Sequence, residues 1–130
     1  ADLSGSLRGR HNLYNHLEYL LLKAKNKVLI FATQNEFINL TKRFNSLFKR
    51  LKHKNINIKI LTQINKQTEK YVYEIEQFAE VKHTNNKARF CIVDSKEVFF
   101  MTLGDTDAHP TYDAGIWVNA PLAKDLENVC

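Results

Sequence analysis

Apolar positions recur along the chain with two different periods. Between Asn12 and Ala24, residues Leu13, Leu17, Leu20, Leu21 and Ala24 fall on one side of a helix, with Asn12 a plausible N-cap. Phe37, Leu40, Phe44, Leu47, Phe48 and Leu51 repeat at steps of three, four and one, which predicts an amphipathic helix from Glu36 to His53. A more polar segment from Lys66 to Ala79 carries Tyr71, Ile75 and Phe78 at helical spacing. Between these helices, "KVLIFAT" (Lys27 to Thr33) is a continuous apolar run of the kind that forms a strand covered on both faces. "NINIKILT" (Asn55 to Thr62) alternates instead, with Ile56, Ile58 and Ile60 on one face.

Four strand candidates follow: "EVKHT", "ARFCIVD", "EVFFMT" and "GIWVN", with "DSKE" reading as a hairpin turn between the second and third. The closing "APLAKDLENVC" suits a helix with Pro121 in its first turn. The order αβαβα, then strands and a last helix, predicts an α/β fold. Its sheet is expected to be mainly parallel, with helices on both faces and antiparallel neighbours added after Asp94. "ADLSGSLRGR" reads as a linker remnant over 1–10, leaving one domain over 11–130.

Composition narrows the class. With 44% hydrophobic and 25% charged residues over 130 positions, the chain is an ordinary globular domain that folds without staples. Cys91 lies in an apolar run and Cys130 at the end, neither with an evident partner, and no Cys/His spacing suits a metal. A cytoplasmic protein with no cofactor is expected. No apolar run approaches the roughly 20 residues that span a bilayer, so no membrane partner is expected. The net charge of +5 is concentrated: "KRFNSLFKRLKHK", Lys42 to Lys54, holds six lysines and arginines with His53 and no acid. That stripe reads either as a nucleic-acid surface or as a solvated helix face.

Ligands of open α/β sheets bind beyond the carboxyl ends of strands. Here those ends supply Thr33, Gln34 and Asn35, then Thr62 and Gln63, then Thr102, Gly104 and Asp105. Three such loops suit a small polar ligand such as a sugar, although the same residue types also cap helices and form turns. The acidic loop "GDTDAHPTYD" lacks the ordered spacing of a calcium site and reads as solvated. His11 and His16 stand five apart, off a common helix face, and Trp117 reads as core.

The stretch "RGRHNLYNHLEYLLLKAKNKVLIFATQNEFINLTKRFNSLFKRLKHKNINIKILTQI" resembles the effector domain of archaeal TrmB-type transcriptional regulators. The cues are "RGRHNLY" before an amphipathic helix, the apolar strand, the long helix and the "IKILT" strand. That resemblance implies a phospholipase D-like fold: a mixed sheet with helices on both faces. It also implies a homodimer, a small-molecule effector, and DNA contacted through a winged-helix domain N-terminal to Ala1. Active members of the fold carry His-x-Lys-x4-Asp. In register, "KARFCIVD" places Lys87 at the histidine, Arg89 at the lysine and Asp94 at the aspartate.

The histidine of such enzymes attacks phosphorus and is held covalently in the intermediate. A lysine near its reference pKa of about 10.4 is protonated and has no lone pair to offer. His83, four residues before Lys87, does not fit the spacing. The expectation is therefore a non-catalytic sensing and dimerisation domain, with a dimeric phosphodiesterase or nuclease as the alternative. Lys87 and Arg89, two apart in a strand, share a face. Three readings stay open for them: solvent-facing, paired across a dimer interface with acids such as Asp94 or Asp105, or holding an anionic ligand.

Overall fold

In the computed structural model, residues 4–8, 10–102, 114–119 and 127 are described, with side chains over 12–101 and at 127. The elements run β1 (Ser4–Arg8), α1 (Arg10–Lys23), β2 (Lys27–Phe31), α2 (Gln34–His53), β3 (Asn57–Thr62), α3 (Glu69–Ile75), β4 (Glu80–His83), β5 (Phe90–Val93), β6 (Glu97–Thr102) and β7 (Ala114–Asn119). The strands form one seven-stranded sheet in the order β1-β7-β6-β5-β2-β3-β4.

The sheet is mixed rather than mainly parallel. β2–β3 and β3–β4 are parallel, each pair joined by a helix, while β2–β5, β5–β6, β6–β7 and β1–β7 are antiparallel. For β5–β6 the physical reason is connection length: only a crossover can return a strand parallel to its neighbour, and a three-residue turn cannot. The β5–β6 turn has left-handed φ at Asp94 (55°) and Ser95 (59°), and Lys96 N–H closes it on the Val93 carbonyl at 3.0 Å. Consecutive residues with positive φ match the right-handed twist of a hairpin. β1 comes from the stretch expected to be linker: Ser4 through Arg8 pair with Val118 through Ala114 at the sheet edge.

Alternation along β2 sorts the core. Val28 and Ile30 join Leu17, Leu21, Phe37, Phe48, Ile58, Cys91 and Phe99 in the cluster beneath α1, α2 and α3. Leu29 and Phe31 point the other way, with Leu61, Phe90, Ile92 and Val98, and are equally buried. All three helices described in full lie on the first face; of the expected terminal helix only Glu127, helical in backbone, is among the described residues.

Each end of α2 is written in the local sequence. Thr33 and Glu36 form a capping box at its start. At its end Asn55 takes φ 63°, with Asn55 N–H bonded to Lys52 O and Ile56 N–H to Leu51 O, while Leu51 and Ile56 both pack into the core. This is a Schellman ending, and asparagine tolerates the left-handed position better than most residues. Thr41 donates its hydroxyl back to Phe37 O at 2.8 Å, a bond that bends helices, and the axis kinks at Phe44. α3 is shorter than the periodicity predicts. The Asn65 side chain accepts the N–H groups of Gln67 and Thr68, and these turn bonds compete with helix through Thr68.

Candidate functional site: a cleft at one sheet edge

Strand direction brings the candidate residues together. β2, β3 and β4 run the same way and β5 runs opposite, so the carboxyl ends of β2 and β3 share an edge with the start of β5. At that edge Thr33, Gln34, Asn35, Gln63, Lys87 and Arg89 line a cleft of about 280 Å3. The strand-end loops and the cationic pair, which the sequence offers as separate features, line one site.

Hydrogen bonds staple these loops to one another. Gln34 N–H donates to Gln63 Oε1 at 3.1 Å, and Gln63 Nε2 donates to Thr84 O at 3.0 Å. Asn65 Nδ2 donates to Gln34 Oε1 at 2.6 Å. Ile64 N–H donates to His83 Nδ1 at 3.0 Å, which leaves His83 Nε2 facing Asn85 Oδ1 at 3.1 Å. His83 thus braces the loop and does not line the cleft.

Behind the cleft sits Glu36, only 1% exposed. Its Oε1 accepts Thr33 N–H at 3.2 Å and Thr33 Oγ1 at 3.0 Å, and lies 3.5 Å from Arg89 Nε. A buried carboxylate needs such partners, and each of them loses one if Glu36 is truncated. Sequence reasoning does not single out Glu36, although Thr33-x-x-Glu36 is a legible capping box. Lys87, by contrast, is exposed at the mouth. The lining therefore presents two cations with neutral amide and hydroxyl groups, beside the positive end of the α2 dipole.

Two expected site residues stand elsewhere. Thr62 is fully buried. Alternation along β3 turns it, with Ile58 and Ile60, toward the helices and away from the cleft. Asp94 lies at the far end of β5, about 17 Å from Arg89 at strand spacing. Its Oδ1 accepts the N–H groups of Asn26 and Lys27 at 2.8 and 3.0 Å, and its Oδ2 accepts that of Lys25 at 2.9 Å. Partial burial pushes its pKa up, but those three amide bonds, with Lys96 nearby, outweigh burial and hold the carboxyl below its ordinary value. Within one chain Asp94 fastens the β5–β6 hairpin to the start of β2 and does not neutralise Lys87 or Arg89. Thr102 ends β6 at the cleft edge. Gly104 and Asp105 lie outside the described residues, as do the rest of the acidic loop and the side chains of His11 and Trp117.

No family pattern matches this sequence, and no curated protein matches it either. Solved structures do. TrmBL2, an archaeal chromatin protein that binds DNA, matches with a TM-score of 0.67 and 18% identity over 97% of this chain and 50% of its own. This chain thus spans half the length of that protein. NucT from Helicobacter pylori matches with a TM-score of 0.73 and 13% identity, over 99% of this chain and 93% of its own. Nuc from Salmonella typhimurium, a phospholipase D family member, gives 0.72 and 14% over 99% and 91%. With its mixed sheet, its element order and near-complete overlap with these neighbours, the chain has the phospholipase D-like fold.

Proposed function

We propose that this domain is a non-catalytic ligand-sensing and dimerisation unit of a TrmB-like transcriptional regulator. It takes a small polar effector in the cleft at the sheet edge, and DNA is read by a separate winged-helix domain. The observation that carries this reading is the lining of the cleft. In the register read from the sequence, Lys87 stands where the phosphodiesterases of the fold hold their nucleophilic histidine, and it offers no imidazole nitrogen for attack on phosphorus. Arg89 is engaged by the buried Glu36, and Thr33, Gln34, Asn35 and Gln63 supply neutral donors and acceptors rather than a general base. The likeness to TrmBL2 over nearly the whole chain supports the regulator side.

Sensing requires the effector to favour one of two arrangements of the dimer. The stapled loops suit this role, because effector contacts at Gln34 and Gln63 pull on both the start of α2 and the end of β3. The alternative is a dimeric phosphodiesterase, which the overlap with Nuc and NucT favours. Native mass spectrometry of the purified chain tests the proposal. The expected species is a dimer of the 15.1 kDa chain that retains a small molecule, with the adduct lost in Gln63→Ala and Lys87→Ala. A ligand-free monomer that stays monomeric at high concentration contradicts the reading.

A further inference from the structure

The cleft leaves one strong feature of the molecule unused. Along α2 and its C-cap, Lys42, Arg43, Lys49, Arg50, Lys52 and Lys54 are all exposed. At 100° per residue, Lys42, Arg43, Lys49, Arg50 and Lys54 fall in one arc of the helix surface together with Asn39, Ser46 and His53. Lys52 stands apart, in a groove shared with Glu76 and Glu80. The arc contains no acid, and none of its cations makes an ion pair among the described residues. Two of them are instead held over aromatic rings. The Arg43 guanidinium lies 4.9 Å from the Tyr14 ring centre, and Lys42 Nζ lies 5.7 Å from that of Tyr71. Lys70, from α3, sits over the same Tyr71 ring at 5.2 Å and extends the positive surface.

We propose that this arc of α2 is a docking surface for the phosphate backbone of double-stranded nucleic acid. The reading does not depend on the cleft or on the regulator assignment. Lys42 to Lys54 spans about 18 Å of helix, against one duplex phosphate per roughly 1.7 Å of axis counting both strands, so several cations meet phosphates at once. The Asn39 amide and the Ser46 hydroxyl, both exposed, add neutral donors of the kind that also contact phosphates. The composition disfavours other anionic partners. A membrane-surface helix needs exposed apolar side chains beside its cations, and the apolar side of α2 is buried in the core. A single-strand binder needs open aromatic platforms; the eight residues of the arc include none, and the rings beside it, Tyr14 and Tyr71, lie beneath Arg43, Lys42 and Lys70. The contact is to the backbone, so it carries affinity rather than sequence choice.

The test is fluorescence anisotropy of labelled DNA and RNA duplexes of about 30 base pairs, titrated with the 130-residue chain between about 50 and 200 mM salt. Four phosphate contacts give a slope of about −3.6 in log affinity against log salt, a loss of about 150-fold over that range. The double variant Lys49→Glu/Arg50→Glu is expected to weaken binding more than about tenfold and to flatten the slope by about 2. Lys96→Glu, on the β5–β6 hairpin, is expected to bind within about twofold of the unaltered chain, and circular dichroism checks that all variants fold. Preference for DNA or RNA tells which duplex is the partner. Absence of binding at the lowest salt, affinity indifferent to salt, or equal losses from Lys49→Glu and Lys96→Glu would overturn the proposal. So would tighter binding to anionic vesicles or to a polyglutamate peptide than to either duplex.

Discussion

Replacing Asp94 separates a fold role from a site role. Its carboxylate accepts three backbone N–H groups, two on Oδ1 and one on Oδ2, and its own φ is 55°. Hydrogen bonds to charged groups contribute about 1.5–3 kcal/mol each when shielded, but these donors sit near solvent. A value of about 0.7 kcal/mol apiece is more apt, giving roughly 2 kcal/mol for the set. Alanine at a left-handed position costs roughly 1 kcal/mol more, which glycine avoids. Asparagine tolerates the backbone and keeps a carbonyl where Oδ1 accepts two bonds. Losses of about 1 kcal/mol for Asp94→Asn, about 2 for Asp94→Gly and about 3 for Asp94→Ala are therefore expected.

Urea denaturation followed by circular dichroism reads these as shifts in midpoint at constant slope. The pH dependence gives a second handle. Because the folded pKa lies below the ordinary 3.8, the folded state binds the proton less readily than the unfolded chain. The Asp94 contribution is thus fully present above about pH 4–5 and is lost as pH falls through the folded pKa. The gap between the native chain and Asp94→Asn should narrow on acidification below about pH 4. Equal stability of Asp94→Ala and the native chain at neutral pH would refute the reasoning. So would a gap that stays constant down to about pH 2.5.

Other consequences follow from single environments. Glu36→Ala removes the capping-box partner of Thr33 and the carboxylate beside half-buried Arg89, and should cost about 2–3 kcal/mol in urea midpoint analysis. Pairing it with Arg89→Ala should recover about 1 kcal/mol by double-mutant cycle, and strict additivity would contradict the contact. Phe99, fully buried between the sheet and α1, should cost about 3–5 kcal/mol as Phe99→Ala, read the same way. Burial pushes the Cys91 thiol up to about 12. With Cys130 changed to Ser, an aromatic disulfide reagent at about pH 8 should therefore release no colour from native protein and one equivalent in denaturant. Prompt native reaction would show that β5 opens.

Much of the fold is legible because local sequence and tertiary burial agree. The three-and-four spacing from Phe37 to Leu51 is the buried side of α2, and "DSKE" turns back as a hairpin. What sequence hides is pairing order. Nothing in "KVLIFAT" tells that β2 has β5 on one side and β3 on the other, so the βα alternation alone predicts a parallel majority. β1 is illegible because "SGSLR" lacks the β-branched and aromatic residues that mark strands, and gains its place from β7. At the site, Lys87, Arg89, Thr33, Gln34, Asn35 and Gln63 are visible as types and spacing. Their convergence depends on strand direction, which no local pattern carries. Thr62 misleads because its place at a strand end says nothing of which face it takes, and β3 is buried on both. Glu36 escapes notice because a capping glutamate is ordinarily solvent-facing, whereas here it meets Arg89 from another element.

The most direct measurement is hydrolysis of a generic phosphodiester, such as bis(p-nitrophenyl) phosphate, by high concentrations of the chain without added metal, beside Lys87→Ala prepared identically. A binding domain built on this fold is expected to show no turnover above the uncatalysed rate in either sample. Turnover in the native chain that disappears in Lys87→Ala would contradict the non-catalytic reading and make the sheet-edge cleft an active site.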